Sequence, residues 1–259
     1  MATQRPEFPA RLPTGAPAAT ARHRDPAGSN AFQLPAVSAP TTFETARARM
    51  VEKLAAQGIA DARVLRAMRA VERHCFIDSA LANQAYEDTS LPIGLGQTIS
   101  KPNVVARMIE LLLEAPALAG QPQARLGRVL DIGTGCGYQA AVLSHVAAEV
   151  YSIERLRDLS ERARANLRPF RFATVHLLVG DGMAGYAKGA PYAGIISAAG
   201  GQAIPPEWIE QLAVGGRIVA PISSVGNKQK LVVLDKTITG LRQSVLEAVH
   251  FVPLKSGIA

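Results

Sequence analysis

The chain has 259 residues, a formal net charge of +7 and a pI of about 9.7. Hydrophobic residues make up 48% and charged residues 19%, the makeup of a globular protein with a sizeable core, and no apolar run approaches the length of a membrane-spanning helix. Two cysteines, Cys75 and Cys136, exclude a disulfide framework and show no metal-ligand spacing, so reduced thiols and no metal are expected.

Residues 1–40 carry 7 of the 17 prolines and show no apolar period, and they read as a disordered Ala/Pro/Arg-rich extension without the short apolar core of a signal peptide. Ordered structure is expected from residue 41. Thr41-Thr42-Phe43-Glu44 has the spacing of a capping box, with Met50, Val51 and Leu54 on one face of the helix and Gly58 at its end. Asp61 should cap a second helix that turns Val64, Leu65, Met68 and Val71 inward. The stretch AYEDTSLPIGLGQTISKP (85–102) has neither period and reads as a shaped, hydroxyl-bearing loop. Pro102 then opens a third buried helix, with Val104, Val105, Met108, Ile109 and Leu112 inside.

From Arg128 the pattern changes. RVLDI (128–132), EVYSI (149–153), TVHLLV (174–179), AGIISA (193–198) and RIVAPI (217–222) read as strands, separated by helices over 137–147, 156–168 and about 205–213. Near-continuous apolar strands alternating with helices predict a parallel sheet covered on both faces. Two further strands are expected at 230–235 and about 244–253. Residues 41–127 then form a helical and loop addition to a sheet core over 128–259.

The first strand runs into Gly133-Thr134-Gly135-Cys136-Gly137, spaced G-x-G-x-G. A dinucleotide fingerprint would need its third glycine one residue later, where Tyr138 stands. Glycines without that spacing suit a ligand that needs close backbone approach and has no phosphates, such as S-adenosylmethionine. A plain strand–helix turn has the same glycines. Glu154, 21 residues beyond Gly133, can accept from both ribose hydroxyls, and Asp181 within Gly180-Asp181-Gly182 can meet an adenine amine. Each acid alone reads as well as a cap or a solvated charge. Three such features at the carboxyl ends of consecutive strands point to one ligand site.

With these residues in place, the chain resembles the protein-L-isoaspartate O-methyltransferase family over about residues 42–256. The resemblance rests on LPIGLGQTIS (91–100) with Lys101-Pro102, GTGCGYQAAVLS (133–144), Ile153-Glu154-Arg155, Gly180-Asp181-Gly182 and Phe251-Val252-Pro253-Leu254. It implies a doubly wound, mostly parallel seven-stranded Rossmann-like α/β sheet, with the N-terminal part closing over S-adenosylmethionine. It also implies methylation of the free α-carboxylate of L-isoaspartyl residues in damaged proteins. Carried over position by position, Ser100 becomes the catalytic-site residue. Asp131, Gly133, Gly135, Gly137, Glu154, Asp181 and Gly182 become cofactor-binding, and Thr98, Ile99, Val252 and Pro253 substrate-binding. A cytoplasmic monomer without nucleic-acid or membrane partners is expected. Ser100 can equally serve as a helix N-cap before Pro102.

Some positions depart from the family pattern. Cys136 stands where Ser is usual, Asp131 where Glu is usual, and Ala193 where Asp is usual. After the fourth strand the family tends to Ala-Ala-Pro, whereas here Ala198-Ala199 meet Gly200-Gly201, so a more flexible turn is expected there. The competing reading is an S-adenosylmethionine-dependent methyltransferase for another acceptor, nucleic acid or a small molecule. The Asn/Asp-Pro-Pro-aromatic turn of amine methylation is absent after the fourth strand, and aromatic residues are only 5%.

Overall fold

The structure, a computed structural model, describes residues 42–223 and 228–259. The expected extension over 1–40, and Thr41 of the capping box, lie outside the described residues. Helix α1 (Thr42–Ala56) buries Met50, Val51 and Leu54, and Gly58 beyond its end has φ +103°. Helix α2 (Ala62–Ala70) is capped by Asp61, whose carboxylate accepts from Arg63 N at 2.7 Å; Leu65 stays half-buried while Val64 and Met68 are fully inside.

The stretch without a period contains a small hairpin. Strand β1 (Leu91–Gly94) pairs antiparallel with β2 (Gln97–Ile99), and its alternation is confined to two or three residues a side. Leu95 and Gly96 at its tip both have positive φ, +53° and +69°, the geometry of a tight two-residue hairpin turn. Leu95 is 56% exposed. Helix α3 (Pro102–Leu113) follows and is buried along most of its length. Its Glu110 carboxylate accepts from Ala60 N (2.7 Å) and Asp61 N (2.9 Å), which anchors α3 to the start of α2.

The remaining chain builds a seven-stranded sheet. In chain order it comprises β3 (Leu126–Ile132), α4 (Tyr138–Leu143), β4 (Ala147–Glu154), α5 (Arg157–Leu167) and β5 (Val175–Val179). These are followed by β6 (Tyr192–Ser197), α6 (Pro206–Gln211), β7 (Leu212–Ser223), β8 (Gln229–Thr237) and β9 (Gly240–Val249). The strands lie side by side as β5-β4-β3-β6-β7-β8-β9; the first five are parallel, and β8 and β9 join antiparallel. The order reverses at β3, so the carboxyl ends of β3, β4 and β6 flank the crevice where such sheets bind ligands. These described elements all belong to one compact unit, Pro40–Ala259.

Three predicted boundaries differ. The strand expected to begin at 217 already begins at Leu212, directly after α6 ends at Gln211. The helix expected over 137–147 ends at Leu143, because β4 already starts at Ala147 and the chain must turn before it. The strand expected to reach 253 ends at Val249. Residues 250–254 leave the sheet and cross to Gly200, where Gly200 N donates to Val252 O and Leu254 N to Gly200 O, both at 2.8 Å. Those bonds, and Gly201 N to Pro221 O at 3.1 Å, hold the Gly200-Gly201 step that was expected to be flexible.

Candidate active site

The glycine turn after β3 is folded by its own backbone. Gly133 N donates to Ile153 O (2.9 Å) and Gly137 N to Thr134 O (2.9 Å), with positive φ at Gly133, Gly135 and Gly137. Gly137 is the N-cap of α4, where a Cβ would meet Leu167 Cδ1 at 2.9 Å; its part is to let the turn pack on α5. At Gly182, just past β5, a Cβ would meet Ile132 Cγ2 at 2.7 Å. Close packing at glycine is thus built in after β3 and after β5, on either side of β4.

These residues surround a cavity of about 460 Å³, within the usual range for small-ligand sites. Gly133, Gly135, Glu154 and Gly182 line it from the sheet, Leu95 to Thr98 from the hairpin, and Val252 to Lys255 from the segment after β9. Glu154 is 6% exposed; its Oε2 accepts from Gly135 N (2.9 Å) and its Oε1 from Leu156 N (3.0 Å). Each oxygen keeps a lone pair for a ligand hydroxyl. The glycine cradle, the carboxylate and the size fit an adenosine-bearing ligand without phosphates.

Asp131 does not reach this cavity. It is fully buried behind the turn, accepting from Gln139 Nε2 and from Ser152 Oγ, both at 2.7 Å, and Ser152 Oγ also meets Thr134 Oγ1 at 2.7 Å. The short side chain ties β3, β4 and α4 together under the cradle. Burial pushes its pKa up to about 6, although the hydrogen bonds from Ser152 and Gln139 oppose the shift. Asp181 does not line this cavity either; beside the lining residue Gly182, its Oδ1 accepts from Met183 N (2.8 Å) and its Oδ2 from Gly257 N (2.7 Å). The thiol of Cys136 is buried in the turn, and burial raises its pKa, so it stays a neutral packing group.

A second cavity, about 310 Å³, is lined by Ser90, Thr98, Ser100, Lys101, Val104, Ala198 and residues 248–252. It adjoins the first at Thr98, Ala198 and Val252, which line both. Ser100 is half-buried and its hydroxyl has no hydrogen-bond partner among the described residues. The capping alternative for Ser100 is corrected here. Lys101 occupies the N-cap position without a side-chain bond, and Asp88 Oδ1 accepts from Asn103 N at 2.9 Å. Ile99 is buried behind Ser100 beside the glycine turn, and Pro253 lines the first cavity.

Several residues that shape the site carry no signature in the sequence. Arg162 of α5 donates to Ile93 O at 2.7 Å and so pins the hairpin to the sheet. Gln229, at the start of β8, accepts from Phe251 N (2.6 Å) and donates to Phe251 O (3.1 Å), pairing with that backbone as a strand neighbour would. A Cβ at Gly200 would strike the Gln229 amide, so the glycine and the glutamine are used together. Asp88, Arg162 and Gln229 all act on backbone groups well away in sequence, which no local spacing reveals. Away from both cavities, Glu72, His74 and Cys75 bring ligand-type atoms within 4.8 Å of one another, and Arg47 already pairs with Glu72 at 3.2 Å.

Comparison with known proteins agrees with this geometry. A family model described as protein-L-isoaspartate(D-aspartate) O-methyltransferase (PCMT) matches residues 45–259. A protein-L-isoaspartate O-methyltransferase from Methylibium petroleiphilum is 61% identical over 213 residues, covering 82% of this chain and 77% of that protein. One of the same name from Leptothrix cholodnii is 59% identical, covering 82% and 74%. Among solved structures, a protein-L-isoaspartate O-methyltransferase superposes with a TM-score of 0.71 at 28% identity, covering 81% of this chain and 66% of that one. A putative member from Plasmodium falciparum, in complex with S-adenosyl-L-homocysteine, shares the fold with a TM-score of 0.67 at 23% identity, covering 81% and 98%.

Proposed function

The chain belongs to the protein-L-isoaspartate(D-aspartate) O-methyltransferase family, and from that premise we propose how its residues carry out S-adenosylmethionine-dependent methylation of L-isoaspartyl α-carboxylates. The observation that carries the reading is the junction of the two cavities at Thr98, Ala198 and Val252. One side has a glycine cradle with a carboxylate; the other has the Ser100 hydroxyl.

S-adenosylmethionine, when bound, supplies a methyl group on a positively charged sulfur, already activated for transfer to an anionic oxygen. Glu154 would hold the ribose, Gly133 and Gly135 would allow the backbone to approach, and Asp181 with Gly182 would bound the adenine end. On the acceptor side no general base is needed, because a carboxylate with a pKa near ~4 is already ionised at pH 7. What the protein must do is align the acceptor oxygen and keep water out, and such alignment is worth on the order of 7 kcal/mol or more. The Ser100 O–H donates to one carboxylate oxygen and leaves the other free to attack. A neutral donor holds the anion without the tight ion pair that would blunt it. Thr98 shapes the near wall, with Ile99 packed behind Ser100, and Val252 and Pro253 shape the far one. The neighbouring backbone nitrogen then attacks the ester carbonyl, loses its proton and expels methanol to close a succinimide, and hydrolysis of the ring returns some normal aspartate.

We assign this chemistry to residues 41–259, a range supported by the family match from residue 45. In the same reading the enzyme works on damaged proteins as a cytoplasmic monomer, without a nucleic-acid partner. No helix among the described residues is long and apolar enough to cross a membrane. The test is methyl transfer to an isoaspartyl peptide beside its aspartyl twin. Base-labile label should enter the first alone; equal labelling of both, or none in either, overturns the assignment.

A further inference from the structure

Arg73 is fully buried, with no carboxylate in hydrogen-bond contact. It follows α2 in a short turn of helix, Arg73–Phe76, outside every motif that carries the cofactor site. A buried guanidinium without a carboxylate in contact is expensive to keep: burial pulls its pKa below the ordinary value, although Tyr138 and the more distant Asp88 charge oppose the shift. Its bonds all go to backbone carbonyls. Nε donates to Ala85 O at 2.8 Å, and Nη2 to Ser100 O at 2.8 Å and, at the 3.5 Å limit, to Thr89 O. Its Nη1 is buried with no partner among the described residues. The guanidinium carbon lies 4.8 Å from the ring centroid of Tyr138, the first residue of α4.

Three points of one loop therefore converge on one rigid fork: its entrance at Ala85, its middle at Thr89 and its exit at Ser100. The fork rests on the ring that begins the helix of the glycine turn. Pairing these carbonyls is itself structural, since an apolar side chain of similar volume would avoid the desolvation penalty but leave them unpaired. The same bonds also fix the peptide plane of Ser100 relative to the two cavities.

We propose that Arg73 is a positioning residue for methyl transfer: by holding the Ser100 carbonyl, it sets where the Ser100 hydroxyl meets the acceptor carboxylate. This rests on Ser100 being the orienting donor. Lysine cannot replace it, because one ammonium on a flexible stem does not span three carbonyls in a fixed plane.

The experiment is a double-mutant cycle on full-length protein, with Arg73→Lys and Ser100→Ala, read as kcat for an isoaspartyl peptide, cofactor Kd and melting temperature. Groups that act through one another are non-additive, so Arg73→Lys should lower kcat about tenfold in the wild-type background and less than about threefold in Ser100→Ala. Its effect on melting temperature should be the same in both backgrounds, and cofactor Kd should move little. Equal fold-losses of kcat in the two backgrounds, or an unchanged kcat in Arg73→Lys alone, overturn the proposal for Arg73 and leave Ser100 standing. A wild-type kcat in Ser100→Ala alone overturns the Ser100 assignment and this inference with it. Should Arg73→Lys fold poorly, Arg73→Gln, whose amide still reaches toward one carbonyl, enters the same cycle with the same outcomes.

Discussion

The two halves of the crevice are built by different means. The half assigned to the methyl donor has its floor made from strand ends, and the contacts of that floor are short in sequence or lie between adjacent strands: Gly135 to Glu154, Ser152 to Asp131, Gly133 to Ile153. The acceptor half is assembled from segments that have no strand register in common. Ser100, Ala198 and Val252 come together only because Asp88, Arg162, Gln229 and Gly200 tie irregular backbone in place. A sheet edge supplies a ligand crevice almost unaided. A wall made of loops needs its own set of side-chain-to-backbone bonds, because buried backbone groups outside the ladder must still be paired.

If this contrast is right, substitutions in the two halves should separate cleanly between cofactor binding and turnover. The largest expected effect is on turnover. Ser100→Ala should lose tenfold to a few hundredfold in kcat, at about 1.4 kcal/mol per decade. Its melting temperature should be unchanged, since Asp88 and not Ser100 caps α3. A covalent intermediate trapped on Ser100 would break the account.

Next comes a pH effect confined to the donor half. In the folded chain the pKa of Asp131 is about 6, against 3.8 for an unperturbed carboxyl. The unfolded chain therefore ionises first as pH rises. The contribution of this group to stability is complete below the unfolded value and is lost as pH passes through the folded one. The loss is about 3 kcal/mol at 1.36 kcal/mol per unit. Asp131→Asn keeps the shape without the titration, so the stability difference between it and the wild type should move in favour of the mutant between about pH 4 and pH 7. Denaturant titrations of both at the two pH values test this, and a pH-independent difference would show that Asp131 is charged throughout.

Glu154→Ala should weaken S-adenosylmethionine binding by roughly 1–3 kcal/mol. Calorimetry on the folded mutant checks it; unchanged affinity would take Glu154 out of the site. The smallest effect tests the acceptor half. Gln229→Ala removes two bonds to Phe251, so peptide KM should rise about threefold to tenfold while cofactor Kd stays put. If cofactor Kd rises instead, the two halves are not independent.

The same contrast explains what the sequence disclosed. The sheet, its alternation of strands and helices, and the crevice residues Gly133, Gly135 and Glu154 followed from apolar period and spacing, because each is set by near neighbours. The β1–β2 hairpin was hidden: with strands of four and three residues there is too little alternation to register. Asp131 was placed in the lining by the family resemblance, yet its neighbours in space, Ser152 and Gln139, hold it behind the turn. Gly200-Gly201 suggested looseness because glycine is permissive on its own, whereas here the backbone is bonded on both sides. Ser100 came from the family resemblance and not from any local pattern, and the fork of Arg73 beneath it came from neither.

Leu95 at the tip of the hairpin shows what selection has to weigh. A bulky side chain at φ +53° costs on the order of 1–3 kcal/mol that Asn or Gly would not incur, and over half of it faces solvent. A population screened only for heat resistance should discard this leucine early, replacing it with Asn or Gly. One screened for repair at ordinary temperature should keep it, because its apolar surface lines the methyl-donor cavity. The hairpin tip is therefore a place where durability and repair capacity pull on the same codon in opposite directions.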